Sequence, residues 1–237
     1  MPKMARTRKK KMKTKKNQAN AQTGCISLPE IIHANSITDV LEAFTVFKTM
    51  QAKKKPEIVF DIQNHHAEHL HSDLRNSIFA LFEENMKELY EKNLNGGYDA
   101  GQKYDELFHP TARYLLVWQR LEEKSCGAED ELGSKNLCAF VHFRFVEEVK
   151  VPIMYLYEIQ IRKCAQRTGL GKHLMQVLML IGHSLKMEML VLTAFKENHA
   201  AMEFYKKKLN FEIDETSPCS CGDHTQSYEI LSRSLQQ

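Results

Sequence analysis

The stretch from Ile159 to Lys172 has the residue types of a phosphate-binding loop. It reads IQIRKCAQRTGLGK, in which apolar strand-like residues are followed by the pattern Q-x-x-G-x-G at the start of an apolar-periodic helix. Glycines let a backbone approach a ligand closely, and free N–H groups at a helix N-terminus bind anions. Arg167 and Lys172 add positive charge. The pattern predicts a pyrophosphate cradle, although it matches neither the dinucleotide-binding fingerprint nor the P-loop.

Two other clusters contain residue types that bind metals. His65-x-x-Glu68-His69 has the H-x-x-E-H spacing of some zinc peptidases, and Cys219-x-Cys221 stands near His224. The first has no partner motif downstream, and the second lacks another pair of ligands. We therefore expect no metal site, and we expect Cys164, beside the glycine loop, to be a packing residue.

Apolar periodicity indicates which elements position the glycine loop. It predicts an α+β domain on a mixed central sheet, with helices between groups of strands and no internal repeat. We expect strands over 57–62, 113–119, 137–146, 153–161 and 189–193 and near Phe211 and Tyr228; one or two short helices within 28–47 and helices over 70–90, 169–186 and 198–209; a break at 95–97; and a hairpin loop over 122–136.

Composition limits the class of protein. The 237 residues are 43% apolar and 27% charged, an ordinary globular balance. No uninterrupted apolar run exceeds five residues, so we expect no membrane span, and six scattered cysteines favour a reduced, intracellular protein.

Charge is distributed unevenly along the chain. Residues 1–16 hold nine of the 33 Lys and Arg residues, so the remainder carries a net charge of −6. We expect residues 1–24 to form a basic disordered tail and residues 25–237 to form one domain. The tail fits a nuclear-localisation or solubilising segment as well as a contact with nucleic acid, nucleosomes or ribosomes.

The glycine loop between two strands, followed by Asn198 and Tyr205 in a later helix, resembles the GCN5-related N-acetyltransferase (GNAT) superfamily. The resemblance implies a GNAT fold with helices on both faces of the sheet and two splayed strands that hold acetyl-CoA. It assigns the pantetheine arm and pyrophosphate to Ile159, Gln160, Ile161, Arg167, Thr168, Gly169, Leu170, Gly171, Lys172 and Asn198.

Longer segments are similar to the NatD family of Nα-acetyltransferases, which modify the N-terminal serine of histone tails. These segments cover residues 40–48 and, almost without gaps, 140–232; they read LEAFTVFK, HFRF, YLYEIQI, RTGLGK, LTAFKENH, LNFEIDETSP and SYEILSR. The resemblance implies an acetyl-CoA-dependent enzyme without metal, acting as a monomer on histone tails in the nucleus and cytoplasm, with no membrane contact.

The similarity implies that Glu158 is the general base, flanked by Tyr155 and Tyr157. An α-amine has a pKa of about 7.7–8.0, so a modest base suffices, directly or through water. Strand alternation alone favours a solvent-facing Glu158 and two core tyrosines, on opposite faces; a local bulge would resolve this. Tyr205 could protonate the CoA thiolate, although close relatives carry phenylalanine there, and core packing explains this tyrosine equally well.

Recognition of a Ser-Gly-Arg-Gly tail is also implied by similarity, with Glu147 and Glu148 meeting the arginine through charge-assisted contacts. Val146 stands where relatives carry aspartate and Asn95 where they carry tryptophan; a solvated hairpin end is the alternative for the two glutamates. The implied substrate-binding residues are Tyr90, Val146, Glu147, Glu148, Tyr157, Thr193, Thr216 and Tyr228.

Three functions remain open from the sequence. The chain is a NatD-type enzyme, a GNAT enzyme that acetylates lysine side chains or polyamines, or an inactive GNAT binding module tethered by its basic tail. The intact glycine loop and Glu158 favour the enzymes over the module.

Overall fold

The computed structural model describes residues 27–53, 55–93, 97–120 and 137–236. The eight strands of the described residues form one sheet, in the order β1-β2-β3-β4-β5-β6-β8-β7. Among these described strands, only β5 and β6 run parallel, and every other neighbouring pair is antiparallel. The strands are β1 Thr49–Ala52, β2 Lys55–His66, β3 Arg113–Arg120, β4 Leu137–Glu148, β5 Val151–Ile161, β6 Met189–Phe195, β7 Glu212–Ile213 and β8 Tyr228–Ser234.

Helices cover both faces of this sheet, which confirms the predicted α+β class with a mixed sheet. The last helix continues as a π-helix over Phe204–Lys208. None of the helices in the described ranges is both long and apolar enough to cross a membrane. The α-helices are α1 Pro29–Ser36, α2 Ser72–Asn93, α3 Ala100–Leu107, α4 Leu170–Ser184 and α5 His199–Glu203.

Two elements differ from the sequence prediction. The four-residue strand β1 and the eight-residue helix α3 were not expected, because both are short and largely polar. The helix α3 forms because Asp99 caps it by accepting a hydrogen bond from Gln102 N at 2.9 Å. The basic tail, its proposed boundary at residue 24 and the 122–136 loop lie outside the described residues.

The core consists of two apolar layers on opposite sides of the sheet. One contains α4 residues such as Leu174 and Ile181, and the other contains Ile78 and Phe82 of α2 with Leu107 of α3. Burial on both faces explains why β4 is apolar almost without interruption. These layers fix α2, α3 and α4 around the central strands β4 and β5.

A β-bulge lies in β5 at Tyr157. Glu158 pairs with His142 of β4, whereas the next residue of β4, Phe143, pairs with Leu156, so Tyr157 is the extra residue. A bulge changes the direction of the side chains that follow it. The sequence analysis required such a bulge to bring Tyr157 and Glu158 to one site.

The strands β5 and β6 diverge after a short parallel contact. They pair only from Ile153–Leu156 to Met189–Leu192, although β5 continues to Ile161 and β6 to Phe195. Beyond the last pair, the backbone of residues 157–161 has no strand partner on this side within the described ranges. This divergence opens the sheet at its centre.

Candidate active site

A cavity of about 470 Å³ occupies the opening between β5 and β6. The helices α2, α3 and α5 complete its wall. Ten residues that the sequence analysis assigned to catalysis, cofactor or substrate meet there. They are Tyr90, Tyr155, Tyr157, Glu158, Ile159, Gln160, Thr193, Asn198, Tyr205 and Tyr228.

Glu158 is the buried carboxylate of this cavity, with only 6% of its surface exposed. Its Oε1 lies 2.6 Å from the Nζ of Lys103 and accepts a hydrogen bond from the hydroxyl of Tyr90 at 3.2 Å. Its Oε2 accepts a hydrogen bond from Nε2 of Gln160 at 2.7 Å. Both oxygens are therefore held by donors, and the carboxylate has a fixed orientation in the cavity wall.

Lys103 is the site residue that the sequence analysis missed. It is 6% exposed, it also forms an ion pair with Glu106, and its Nζ lies 4.8 Å and 5.0 Å from the ring centroids of Phe82 and Tyr90. Burial alone would lower its pKa, but Glu158, Tyr90 and Glu106 outweigh burial and hold the pKa of Lys103 above its ordinary value. Lys103 is therefore a permanent cation beside Glu158.

An aromatic stack supports the part of the cavity wall that contains Tyr155 and Tyr157. Tyr157 stacks on His142 with ring centroids 4.7 Å apart and lies 4.9 Å from Tyr155, while the guanidinium of Arg144 lies 4.3 Å from the Tyr157 ring centroid. Burial and the nearby Arg144 lower the pKa of His142 well below its usual value, so the imidazole is neutral. Tyr155 shares a 2.6 Å hydrogen bond with Thr193, which joins β5 to β6 at the mouth of the opening.

Tyr205 lies in the π-helix and is 7% exposed. Burial first, and the charge of Glu158 second, raise the pKa of this phenol. The hydroxyl therefore stays protonated at neutral pH. Such a group can donate a proton or a hydrogen bond but cannot serve as a base.

The glycine loop has the geometry of an anion-binding turn. Gln166 Nε2 donates to Ile161 O at 2.9 Å, and Thr168 Oγ1 donates to Ala165 O at 2.7 Å, so the loop is closed onto the end of β5. Gly169 caps α4 at φ 96°, in the left-handed region that favours glycine. Leu170 N donates to Thr168 Oγ1 at 3.4 Å, and the next N–H groups, of Gly171 and Lys172, have no acceptors within the helix and can meet an anion.

The loop residues assigned to cofactor binding contribute in different ways. Thr168 and Leu170 have buried side chains, so only their backbone groups could meet a ligand, whereas Arg167 and Lys172 supply cations. A Cβ at Gly171 would lie 3.3 Å from Ile161 Cδ1. The unpaired edge of β5 and the N-terminus of α4 together fit an extended ligand with amide groups and an anionic end.

Asn198 has a structural role in addition to its position on the cavity wall. Its side chain caps α5 by accepting a hydrogen bond from Ala201 N at 3.1 Å. This contact fixes the start of the helix that carries Tyr205. Its assigned contact with an extended cofactor stays a prediction.

The remaining substrate residues lie away from the cavity wall. Glu147 accepts a hydrogen bond from Leu28 N at 3.3 Å, and Thr216 donates from both N and Oγ1 to Asp214. Val146 and Glu148 lie at the end of the β4–β5 hairpin. Their contact with a substrate stays a prediction, and Asn95 lies outside the described residues.

Within residues 27–53, 55–93, 97–120 and 137–236, no group of three or more His, Cys, Asp and Glu side chains could hold a metal ion.

Comparisons with known proteins point to one family. The model of the acetyltransferase (GNAT) family matches residues 79–211. Tetrahymena GCN5 is 13% identical, covers 75% of this chain and 96% of its own, and superposes with a TM-score of 0.50. At this identity the likeness shows the fold alone.

Two other solved structures are similar at lower scores. The PaiA N-acetyltransferase of Thermoplasma acidophilum, in complex with coenzyme A, is 13% identical over 74% of this chain and 98% of its own, with a TM-score of 0.48. The ribosomal-protein-S18-alanine N-acetyltransferase of Escherichia coli is 15% identical over 74% and 95%, with a TM-score of 0.44.

Proposed function

The chain belongs to the acetyltransferase (GNAT) family, and from that premise we propose that it is a NatD-type enzyme. It transfers the acetyl group of acetyl-CoA to the N-terminal serine α-amine of histone tails that begin Ser-Gly-Arg-Gly, of the H-four and H-two-A type. The observation that carries this proposal is the buried Glu158 beside four tyrosines at the opening between β5 and β6.

The residues of the opening fit acetyl-CoA. The backbone edge of residues 157–160, which has no strand partner on this side, offers amide partners to a pantetheine arm, and the start of α4 with Arg167 and Lys172 offers positive potential to a pyrophosphate. When bound, acetyl-CoA supplies the activated thioester that is to be cleaved. The side chains of the cavity position the amine and provide the group that accepts its proton.

Glu158 receives the proton of the attacking amine in this proposal. About a quarter to two fifths of α-amines with a pKa near 7.7–8.0 are neutral at pH 7.5, so the carboxylate takes up a proton only as the new N–C bond forms. Its three donors hold it in place during this step. Tyr205, which lines the same cavity and is protonated at neutral pH, is proposed to return a proton to the leaving thiolate.

The tyrosines favour a small first residue in the substrate. Tyr90, Tyr155, Tyr157 and Tyr228 line the cavity, so bulky rings limit the space around the amine. Serine followed by glycine fits such a space. Glu148, at the hairpin end, is proposed to meet the arginine at the third position.

Acetyl-CoA turnover on a Ser-Gly-Arg-Gly-Lys peptide tests the proposal, with its N-acetylated twin as the matched substrate. The first offers an α-amine and a lysine, and the second offers the lysine alone. We expect turnover of the first only. Turnover of both at similar rates would indicate a lysine acetyltransferase, and turnover of neither, with CoA still bound, would indicate a binding module.

We further propose that the enzyme is a monomer of the nucleus and cytoplasm, and that its basic tail contacts a polyanion such as nucleic acid, the nucleosome or the ribosome. Nine cations within 16 residues support this. Deleting residues 1–20 should leave peptide turnover intact and weaken the polyanion contact in a salt-dependent way. Loss of peptide turnover would instead assign the tail to the active site.

A further inference from the structure

The ion pair between Lys103 and Glu158 lies inside the cavity where the amine must react. The Nζ–Oε1 distance is 2.6 Å, and both side chains are about 5% exposed. Lys103 also lies on the cavity wall itself. An entering amine therefore meets a carboxylate that already has a cation at contact distance.

Other elements also present polar or charged groups near Glu158. Lys103 is the cation in ion-pair contact with it within the described residues, while Arg144 stacks on Tyr157 and donates to Nε2 of His142 at 3.2 Å. The groups packed around Glu158 are Tyr90 of α2, Lys103 and Glu106 of α3, His142 and Arg144 of β4, Gln160 of β5 and Tyr205 of the π-helix.

We propose that Lys103 is a positioning and specificity-determining residue that makes the site select α-amines over lysine ε-amines. The inference rests on the proposed function and concerns the same cavity. A fixed ammonium beside the carboxylate repels a second ammonium, so the substrate has to enter as a neutral amine. At pH 7.5 about 30% of an α-amine is neutral, compared with about 0.1% of a lysine side chain.

Lys103 acts through Glu158 and transfers no proton itself. Its ammonium orients the carboxylate through the 2.6 Å contact and repels a second ammonium from it. A carboxylate suffices as the base for an amine that arrives neutral. Glu106 and the rings of Phe82 and Tyr90 hold the ammonium of Lys103 beside the carboxylate of Glu158.

The pH profile of Lys103→Met tests the inference, because methionine keeps an apolar stem of similar length without the charge. For the wild type, log kcat/KM on the α-amine peptide should rise with unit slope below the pKa of the amine. In the variant, no fixed ammonium opposes a charged amine beside Glu158, so an amine that enters protonated can also react. The slope of the profile should therefore fall below one in the same pH range.

The selectivity for α-amines provides a second measurement. The ratio of kcat/KM for the Ser-Gly-Arg-Gly-Lys peptide to that for its N-acetylated twin should fall about tenfold or more in Lys103→Met, because the repulsion between two ammonium groups at close range is worth at least that factor. Lys87→Met is the matched control: Lys87 also pairs with a glutamate of its own helix and lies over a tyrosine ring, but it is half exposed and outside the cavity.

Lys103→Arg restores the cation and should return both measurements to wild-type values. If Lys103→Met keeps the wild-type slope and selectivity, or if Lys103→Arg shows the same changes as the methionine variant, the role assigned to Lys103 is wrong. If Lys103→Met does not fold, Lys103→Gln gives the same readouts, since its amide can still donate to Glu158. A wild type without preference for the α-amine would contradict the proposed function itself.

Discussion

Replacing Glu158 with glutamine tests the chemistry of the site most directly. Glutamine keeps the shape of the side chain but accepts no proton from the amine. We expect kcat to fall by about 10²–10⁴-fold, the usual contribution of a general base, which corresponds to about 2.7–5.5 kcal/mol of barrier. The KM for the peptide should change little, because the lost interaction arises during the reaction.

The hydrogen bonds of Glu158 also determine what the substitution does to stability. The carbonyl of the introduced glutamine can still accept from Lys103 and Tyr90, but its amide then faces the Nε2 donor of Gln160. Gln160 can rotate its amide only if Asn85, which donates to Gln160 Oε1 at 3.0 Å, rotates as well.

The ion pair that remains after the substitution limits the loss of stability. Lys103 keeps Glu106 as a partner, so the loss should stay below the roughly 3–5 kcal/mol of a fully broken buried pair. We expect the free energy of unfolding to fall by about 1–3 kcal/mol, measured by urea denaturation. The chain should thus remain folded while turnover is lost.

Steady-state kinetics on the Ser-Gly-Arg-Gly-Lys peptide, with CoA titration as a folding check, is the assay. Glu84→Gln is the matched control, because Glu84 is an exposed glutamate paired with Arg162 at 3.2 Å outside the cavity. A Glu158→Gln variant that binds CoA and keeps kcat within about threefold of the wild type would refute the role of Glu158 as base.

Three further substitutions test other parts of the molecule. Gly171→Val should block CoA binding in calorimetric titration, because a Cβ there already lies 3.3 Å from Ile161; a folded variant that binds CoA normally would place the site elsewhere. Glu148→Gln should raise KM for the histone peptide but not for a peptide with alanine in place of its arginine, and equal effects on both would make its role structural. Val149→Asn with Lys150→Gly should raise the free energy of unfolding by about 1–2 kcal/mol in urea, because both residues have positive φ (50° and 65°); an unchanged midpoint would contradict that reasoning.

The sequence predicted most elements because their apolar patterns are strong. The helix α2 and the strands β3, β4 and β5 lie within a few residues of their predicted bounds, and the glycine loop opens α4 as expected. Local sequence suffices to predict these helices and strands, because the periodic pattern of buried side chains along each element depends only on that element's own residues.

The pairing of Lys103 with Glu158 could not be predicted in the same way. Lys103 stands in a short polar helix, where a lysine is ordinarily exposed, and it meets Glu158 only after α3 packs on β5. Its spacing of four residues from the buried Leu107 was a weak signal. The bulge at Tyr157 depends on register with β4, and the bond from Leu28 to Glu147 joins residues 119 apart in sequence.

The opening between β5 and β6 gives the sheet a free edge at its centre rather than at its rim. Free edges attract other extended chains, but here the surrounding helices leave room only for a slender molecule. A ligand that pairs with this edge completes the sheet and binds only the folded state. At one hundred times its dissociation constant it adds about 2.7 kcal/mol to stability, so the melting temperature should rise with the concentration of ligand. The strands β1–β5 and β6–β8 form the two parts of the sheet, which are joined by four residue pairs between β5 and β6 and by α4. A ligand in the opening contacts both parts, so we expect it to stabilise this junction most.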